Sequence, residues 1–224
     1  MFDSKVIIIL KEIPWYCSSK LYAEYELSFQ KELRGLGVPI PQIYETVNGN
    51  LFCSEDYGNG EKYIFAQNFE KGDSWKGSVK ETISAAITLS NLHTASLKIT
   101  DKMLKYKPPE SNVFILAKKM LDVAKTNIQE KKEDSCEFED YYNYALTRIE
   151  KYMNIAVEKG YNSIKIPIHG DYNPWNLVFS EVGSLSAVLD FNYSIIDHPV
   201  HDVAATITIE LTALVIEFIY HQSE

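Results

Sequence analysis

Two neighbouring segments decide the fold of this 224-residue chain: Ile168-His-Gly-Asp-Tyr-Asn-Pro-Trp-Asn-Leu-Val178 and Ala187-Val-Leu-Asp-Phe-Asn192. Each places polar side chains in a short loop beside apolar runs that are typical of buried strands. Three of these side chains, Asp171, Asn176 and Asp190, follow one another at spacings of five and fourteen residues. Because loops held between buried strands are rigid supports, we expect the three groups to lie close together.

The residue types in this group predict its chemistry. Two carboxylates and an amide oxygen form an all-oxygen site that suits Mg²⁺, with phosphate oxygens and water as the remaining ligands. The protein-kinase pattern has the same order, in which a catalytic base precedes a metal-binding amide and then a metal-binding carboxylate. Aspartates are also common turn residues, but the joint spacing of Asp171 and Asp190 favours the phosphotransfer site.

Three motifs, His169-Gly-Asp-x4-Asn176, Leu189-Asp-Phe191 and His201-Asp-Val-Ala204, resemble the aminoglycoside phosphotransferase and choline kinase-like family. Their flanking residues are similar to bacterial homoserine kinase-like and spore-coat-protein-like members. The resemblance covers about residues 5–210, because it extends forward through the segments 26–29, 37–41 and 90–93.

The resemblance implies an α+β, bilobal protein-kinase-like fold, in which a small antiparallel sheet lobe with one helix precedes a larger, mainly helical lobe. We expect the nucleotide-binding lobe to span residues 1–67 and the catalytic and substrate lobe to span residues 68–224. ATP and Mg²⁺ are the implied cofactors, and a small molecule with a hydroxyl group is the implied substrate.

In the catalytic lobe, the resemblance assigns a role to each matching residue. Asp171 would be the catalytic base, and Asn176 and Asp190 would hold Mg²⁺ against the phosphates of ATP. Asp202 would brace the catalytic loop, and His169 is expected to support the loop through hydrogen bonds.

In the nucleotide-binding lobe, Lys11 would contact the α- and β-phosphates and would pair with Glu26 on the following helix. Two alternatives stay open, since Lys11 could be an ordinary strand-end lysine and Glu24 or Glu32 could replace Glu26. The segment that follows the last strand of this lobe would present backbone groups to adenine through Gln67, Asn68 and Phe69.

Local patterns predict the order of the elements. In the first lobe they predict a buried strand over Val6–Leu10, a helix over Lys20–Leu36 capped at Ser18-Ser19, a hairpin joining Ile43–Val47 to Leu51–Ser54 through Asn48-Gly49, and a strand over Lys62–Gln67. In the second they predict helices over Val79–Ser96, Asn112–Gln129 and Glu139–Glu158, and a last helix from Pro199. Ile83, Ile87 and Leu92 lie close to one face of the first of these helices. Strands are predicted over Ile164–Ile168, Leu177–Phe179 and Leu185–Leu189.

Composition excludes several classes of protein. The chain has 22 basic and 31 acidic residues, for a formal net charge of −9, and its only arginines are Arg34 and Arg148, which argues against nucleic-acid binding. The apolar stretch 203–220 contains Glu210 and Glu217 on one helical face, which indicates a half-buried helix and no membrane span. The three cysteines have no ligand-like spacing, and with no signal peptide they indicate a cytoplasmic protein with reduced thiols.

The sequence also departs from the family pattern. No glycine occurs before Gly35, so the glycine-rich hairpin over the ATP phosphates is missing, and one helix follows Asp202 before the chain ends. The apolar side of residues 207–219 would then need a partner, such as a second subunit. Trp175 and Trp75 are expected to lie in the core or the cleft wall and not to act as stacking platforms.

The leading hypothesis is therefore an ATP-dependent phosphotransferase acting on a hydroxyl of an aminoglycoside, an amino alcohol, homoserine or a sugar-like molecule. The alternative is a catalytically weak or inactive kinase-like protein with a binding or spore-coat role, or a fragment of a longer kinase.

Overall fold

A computed structural model of the chain describes residues 6–14, 19–56, 58, 60–106, 113–131 and 135–207. An antiparallel sheet with one helix precedes a mainly helical part with short strands, so the predicted α+β architecture is confirmed. None of the helices within the described ranges is long and apolar enough to cross a membrane. The predicted oligomer contact along residues 207–219 lies almost wholly outside the described residues.

The N-terminal sheet is built around β4 (Glu61–Asn68), the longest strand of the sheet. One edge of β4 pairs antiparallel with β1 (Ile8–Glu12), from Ile64 to Asn68. Both β2 (Ile43–Tyr44) and β3 (Cys53–Asp56) also pair antiparallel with β4. Since their partners on β4 are already paired with β1 at the overlapping positions, β2 and β3 must lie end to end along the other edge.

The predicted hairpin between segments 43–47 and 51–54 is therefore wrong, although its turn forms. The Gly49 N–H donates to the Thr46 carbonyl at 2.9 Å, and Gly49 has a φ of 77°, which suits glycine. The flanking strands pair with β4 instead of with each other, because that longer strand offers more backbone partners and a buried face through Tyr63 and Phe65. β2 and β3 thus occupy one strand position beside β4, and residues 45–52 form an excursion from the sheet between them.

Strand β1 is not buried, contrary to the sequence prediction. The exposed fraction of its apolar side chains ranges from 37% at Ile9 to 76% at Leu10. The strand lies at the edge of the sheet, with β4 as its sole partner strand among the described residues. An unbroken apolar run predicts a strand, but its burial depends on elements elsewhere in the chain.

Helix α1 (Lys20–Gly35) follows the predicted pattern closely. Ser19 caps it by accepting a hydrogen bond from the Tyr22 N–H at 3.1 Å. Of the apolar residues that recur at helical spacing, Tyr25, Phe29 and Leu33 are fully buried, whereas Leu21 is 55% exposed. This helix therefore turns one apolar face toward the rest of the molecule.

Helix α2 (Val79–Leu104) is longer than predicted and presents a different face to the core. Leu92 is buried as expected, but Ile83 and Ile87 are more than half exposed. The buried face combines larger apolar side chains with small and polar ones, which hydrophobic periodicity does not detect. The apolar ones are Leu89, Leu92, Ile99 and Met103, and the small or polar ones are Glu81, Ala85, Thr88, Ala95 and Ser96.

The remaining elements complete the C-terminal part. Helices α3 (Val113–Lys131) and α4 (Ser135–Glu158) pack against each other near their predicted positions. Four short strands form two antiparallel pairs, and residues 200–207 are helical after Pro199. The pairs are β5 (Ile166–Ile168) with β8 (Ile195–Asp197), which was not predicted, and β6 (Leu177–Phe179) with β7 (Leu185–Val188).

The main hydrophobic core crosses the predicted boundary at residue 67. Phe29 and Leu33 of α1 belong to the same buried cluster as Leu92 of α2 and Phe179 and Phe191 of the C-terminal strand region. The Val188 N–H also donates to the Pro39 carbonyl at 2.8 Å. The division at residue 67 remains a prediction, since the largest cluster includes residues of both lobes while a second one, around Tyr63 and Phe65, lies wholly before residue 67.

Candidate active site

The loop after β5 is held in place by the buried carboxylate of Asp202. Asp202 accepts hydrogen bonds from the His169 N–H at 3.1 Å and the Gly170 N–H at 2.7 Å. Its Oδ2 also lies 2.8 Å from Nε2 of His93 on α2. The bracing role predicted for Asp202 is therefore present, and α2 takes part in it through His93.

His169 supports the loop from inside the core. Its Nε2 donates to the Leu189 carbonyl at 2.8 Å, and its Nδ1 accepts from the Asp171 N–H at 3.2 Å. This arrangement requires the neutral tautomer with the proton on Nε2, in agreement with burial, which lowers the pKa of His169. The ring thus links the Asp171 loop to the segment that carries Asp190.

Gly170 is required by the backbone at this point. Its φ is 79°, and a Cβ here would overlap the carbonyl oxygen of Tyr193. The His-Gly-Asp sequence therefore allows the loop to pass directly over the segment after Asp190.

The Asp171 carboxylate is oriented by two asparagines. Asn173 Nδ2 donates to Oδ1 at 2.8 Å, and Asn176 Nδ2 donates to Oδ2 at 2.9 Å. The Asn173 side chain also caps the short 3-10 turn Pro174–Asn176 by accepting from the Trp175 N–H at 3.0 Å. Sequence analysis did not single out Asn173, although an asparagine directly before proline is a recognisable capping signal.

Asn176 and Asp190 are brought together by the β6–β7 pair. The Leu189 N–H donates to the Asn176 carbonyl at 2.8 Å, which places Asp190 next to this strand pair. Asp190 has a φ of 61°, the one positive φ outside glycine in the described chain. A non-glycine residue in this region marks a constrained backbone that often accompanies a functional site.

Lys11 crosses from the N-terminal sheet to this group. Its Nζ lies 3.0 Å from Asp190 Oδ1, and the two side chains are 30% and 40% exposed. Lys11 thus pairs with Asp190, and no ion pair joins it to Glu26 in this conformation, although the Glu26 carboxyl is close enough to feel its charge. The predicted cluster of Lys11, Asp171, Asn176 and Asp190 therefore forms. The predicted pair of Lys11 with Glu26 does not form in this conformation.

Glu26 is fully buried beneath this ion pair. Its Oε1 accepts from Gln30 Nε2 at 3.1 Å, while Oε2 has no hydrogen-bond partner among the described residues. Burial raises the pKa of Glu26 to about 7, Lys11 opposes this shift and Asp190 adds to it. Its charge therefore depends on whether Lys11 turns toward it.

The predicted adenine-binding segment forms the end of β4. The Asn68 N–H donates to the Gln42 carbonyl at 2.9 Å, and the Phe69 N–H donates to the Ile7 carbonyl at 2.8 Å. Gln67 is buried and paired within the sheet, whereas Phe69 is half exposed. Adenine would have to compete with Gln42 and Ile7 for these two backbone donors.

The oxygen atoms left over at this site fit a hard cation. The Asn176 amide nitrogen is committed to Asp171, so its Oδ1 is directed elsewhere, and neither this atom nor Asp190 Oδ2 accepts a hydrogen bond within the described chain. No cluster of three or more His, Cys, Asp or Glu side chains in the described ranges is arranged to hold a metal. Further ligands would therefore have to be phosphate oxygens and water, as is usual for Mg²⁺.

Comparisons with known proteins agree with this arrangement. The model of the phosphotransferase enzyme family (APH) matches residues 17–220. Among solved structures, an amicoumacin kinase (hAmiN) in complex with AMP-PNP, Ca²⁺ and Ami is 12% identical with a TM-score of 0.66 over 90% of this chain and 56% of that chain. The streptomycin–ATP–APH(2")-IIa ternary complex is 17% identical with a TM-score of 0.57, over 87% of this chain and 62% of that chain. A microcompartment-associated aminopropanol kinase is 14% identical with a TM-score of 0.57, over 92% of this chain and 63% of that chain.

At these identities the structural likeness shows the bilobal kinase-like fold. The chain spans 56 to 63% of the length of these three solved proteins. No curated protein matches the sequence.

Proposed function

The chain belongs to the phosphotransferase enzyme family, and on that premise we propose that it transfers the γ-phosphoryl group of ATP to a hydroxyl group of a small molecule. The observation that carries this proposal is the juxtaposition of two pairs, Asp171 with Asn176 and Lys11 with Asp190. A base, two oxygen ligands and one cation are the groups that phosphoryl transfer requires.

Asp171 is the catalytic base in this proposal. Its carboxylate orients the acceptor hydroxyl and takes its proton while the new oxygen–phosphorus bond forms and the bond to the ADP oxygen breaks. Asn173 and Asn176 fix both carboxylate oxygens, so the base is positioned before the acceptor arrives.

Asn176 and Asp190 would hold Mg²⁺, which when bound neutralises charge on the phosphates. Lys11 would leave Asp190 for the α- and β-phosphates, and at 30 to 40% exposure this ion pair stabilises the free protein little. Once Lys11 moves, its proposed counter-ion is the buried carboxyl of Glu26, whose pKa it already lowers. The backbone of Gln67, Asn68 and Phe69 remains the proposed adenine contact.

The acceptor in this proposal is an amino alcohol, homoserine, an aminoglycoside or a sugar-like molecule. We place the reaction in the cytoplasm, because ATP is available there and Cys53 is an exposed free thiol. Cys17 and the side chain of Cys136 lie outside the described residues.

The test is a phosphotransfer assay with Mg·ATP and three probes: homoserine, 1-amino-2-propanol and streptomycin. We expect the wild-type protein to release ADP with at least one probe, and Asp171→Asn to lower kcat by about 100-fold or more, the usual contribution of a positioned base. Asp101→Asn, an exposed aspartate on α2, is the matched control. Transfer to none of the probes, or an active Asp171→Asn, would contradict the proposal.

A second candidate is a kinase-like binding protein without turnover. It is favoured by the Lys11–Asp190 pair, which forms in place of a Lys11–Glu26 pair. Stabilisation by Mg·ATP without release of ADP would support this candidate.

A further inference from the structure

The most exposed aromatic side chain of the active-site loop is Trp175. Trp175 is 73% exposed, whereas its neighbours from Tyr172 to Pro174 and also Leu177 are buried. No aromatic or cation–π contact of Trp175 is found in the described part of the chain, while Trp75 packs against the main core as predicted. Core packing, one of the two locations predicted for Trp175, is thus wrong.

The backbone of Trp175 is fixed relative to the catalytic base. Its N–H donates to Asn173 Oδ1 at 3.0 Å, and the amide nitrogen of the same Asn173 donates to Asp171 Oδ1 at 2.8 Å. The Asn176 N–H closes the turn on the Asn173 carbonyl at 3.0 Å. The Asn173 side chain therefore links the backbone of Trp175 to the carboxylate that would receive the acceptor hydroxyl.

A rigid loop that projects a large aromatic ring into solvent provides a contact surface. Tryptophan is enriched among residues that dominate binding energy, because it offers a large face with little conformational freedom to lose. The loop contains no second exposed aromatic side chain between residues 169 and 177. The exposed Trp175 ring and the Asp171 carboxylate therefore belong to one short loop that Asn173 holds together.

We propose that Trp175 is the acceptor-positioning platform of the enzyme and that it binds an electropositive face of the acceptor. The ring face carries negative π density, and the Asp171 carboxylate, which Asn173 links to the Trp175 backbone, is acidic. The chain as a whole has a formal net charge of −9. A protonated amine next to the reacting hydroxyl would contact the ring face and be attracted by the carboxylate, whereas the C–H face of a sugar ring would contact the ring face alone. This inference rests on the proposed phosphotransferase function.

The experiment compares Trp175→Ala, Trp175→Leu and Trp175→Phe in the same three-probe assay. For a probe that the wild-type protein phosphorylates, Trp175→Ala should raise the acceptor KM by about tenfold, the size of one cation–π or stacking contact. Trp175→Phe should restore most of the affinity, and Trp175→Leu should not, because leucine is apolar but has no π face. The KM for ATP and the thermal stabilisation by Mg·ATP should be unchanged in all three variants.

The control is Tyr141→Ala, which removes an equally exposed aromatic ring (69%) from α4. An unchanged acceptor KM in Trp175→Ala, full rescue by Trp175→Leu, or a parallel loss of Mg·ATP stabilisation would each overturn the role of Trp175 while the proposed function stands. If the wild-type protein phosphorylates none of the probes, the acceptor classes of the proposed function are wrong, and the inference fails with them.

Discussion

Glu26 shows how a single buried acid can make stability depend on pH. Its folded-state pKa of about 7 lies above the ordinary value of 4.5. Between these two values the folded protein holds a proton that the unfolded chain releases. The contribution of Glu26 is therefore favourable below about pH 4.5 and is lost as pH rises through about 7.

We expect Glu26→Gln to remove this loss. The variant keeps an oxygen for Gln30 and cannot ionise, so its stability relative to wild type should rise by about 2–3 kcal/mol between pH 5 and pH 8. Urea unfolding at the two pH values measures the difference. Equal stability differences at pH 5 and pH 8 would contradict the raised pKa.

Sequence patterns identify residues well when the residue type has few alternative uses. His169-Gly-Asp-x4-Asn176 and Asp190 could be located because their loops are short and bounded by apolar strands, and the structure brings them together. The partner of Lys11 could not be located, because Asp190 is 179 residues away and its distance depends on how the two lobes pack.

Helix α2 joins the sheet to the catalytic loop and begins at a reciprocal cap. The Ser78 hydroxyl accepts from the Glu81 N–H at 3.2 Å, and the Glu81 carboxylate accepts from the Ser78 N–H at 3.1 Å. The carboxylate also accepts from the Lys76 N–H at 3.1 Å. These bonds hold the start of the helix that later contributes His93.

Ser78→Ala should lower the free energy of unfolding by about 1 kcal/mol, the usual value of a serine N-cap. Ser90→Ala, at an exposed position within the same helix, is the matched control and should change stability little, since alanine favours a helix interior. Both are measured by urea denaturation. Equal losses in the two variants would show that the cap contributes nothing specific.

At the level of elements, helices were easier to predict than strand partners. A helix makes its hydrogen bonds within one segment, so periodicity and capping residues predicted α1 from Lys20 with its last residue within one position. Strands depend on distant partners, which is why β1 was wrongly expected to be buried and the 43–54 hairpin to form. The predicted buried face of α2 is wrong because several of its buried side chains are small or polar, and hydrophobic periodicity does not detect such residues.

At the scale of the whole molecule, the largest hydrophobic cluster joins the two lobes. It contains Phe29 of α1, Leu92 and Phe191, while a second cluster around Ile43, Tyr63 and Phe65 lies within the N-terminal sheet lobe. Neither lobe can lose its packing without exposing apolar surface of the other, so we expect the described parts to unfold together.

Differential scanning calorimetry should therefore show a single transition with equal calorimetric and van't Hoff enthalpies. Leu92→Ala, at the centre of the cluster, should lower its midpoint without splitting it, with a cost of about 2–5 kcal/mol. Two separate transitions in either protein would show that the lobes are independent domains, as the predicted boundary at residue 67 implies.

The excursion over residues 45–52 has a consequence for how the chain can change in length. Its turn is closed by its own hydrogen bonds, and the strand pieces on both sides are anchored separately on β4. Residues added or removed at Asn48-Gly49 would alter neither the sheet register nor the Lys11–Asp190 cleft. We expect this turn to accept a fluorescent or affinity peptide without loss of the fold.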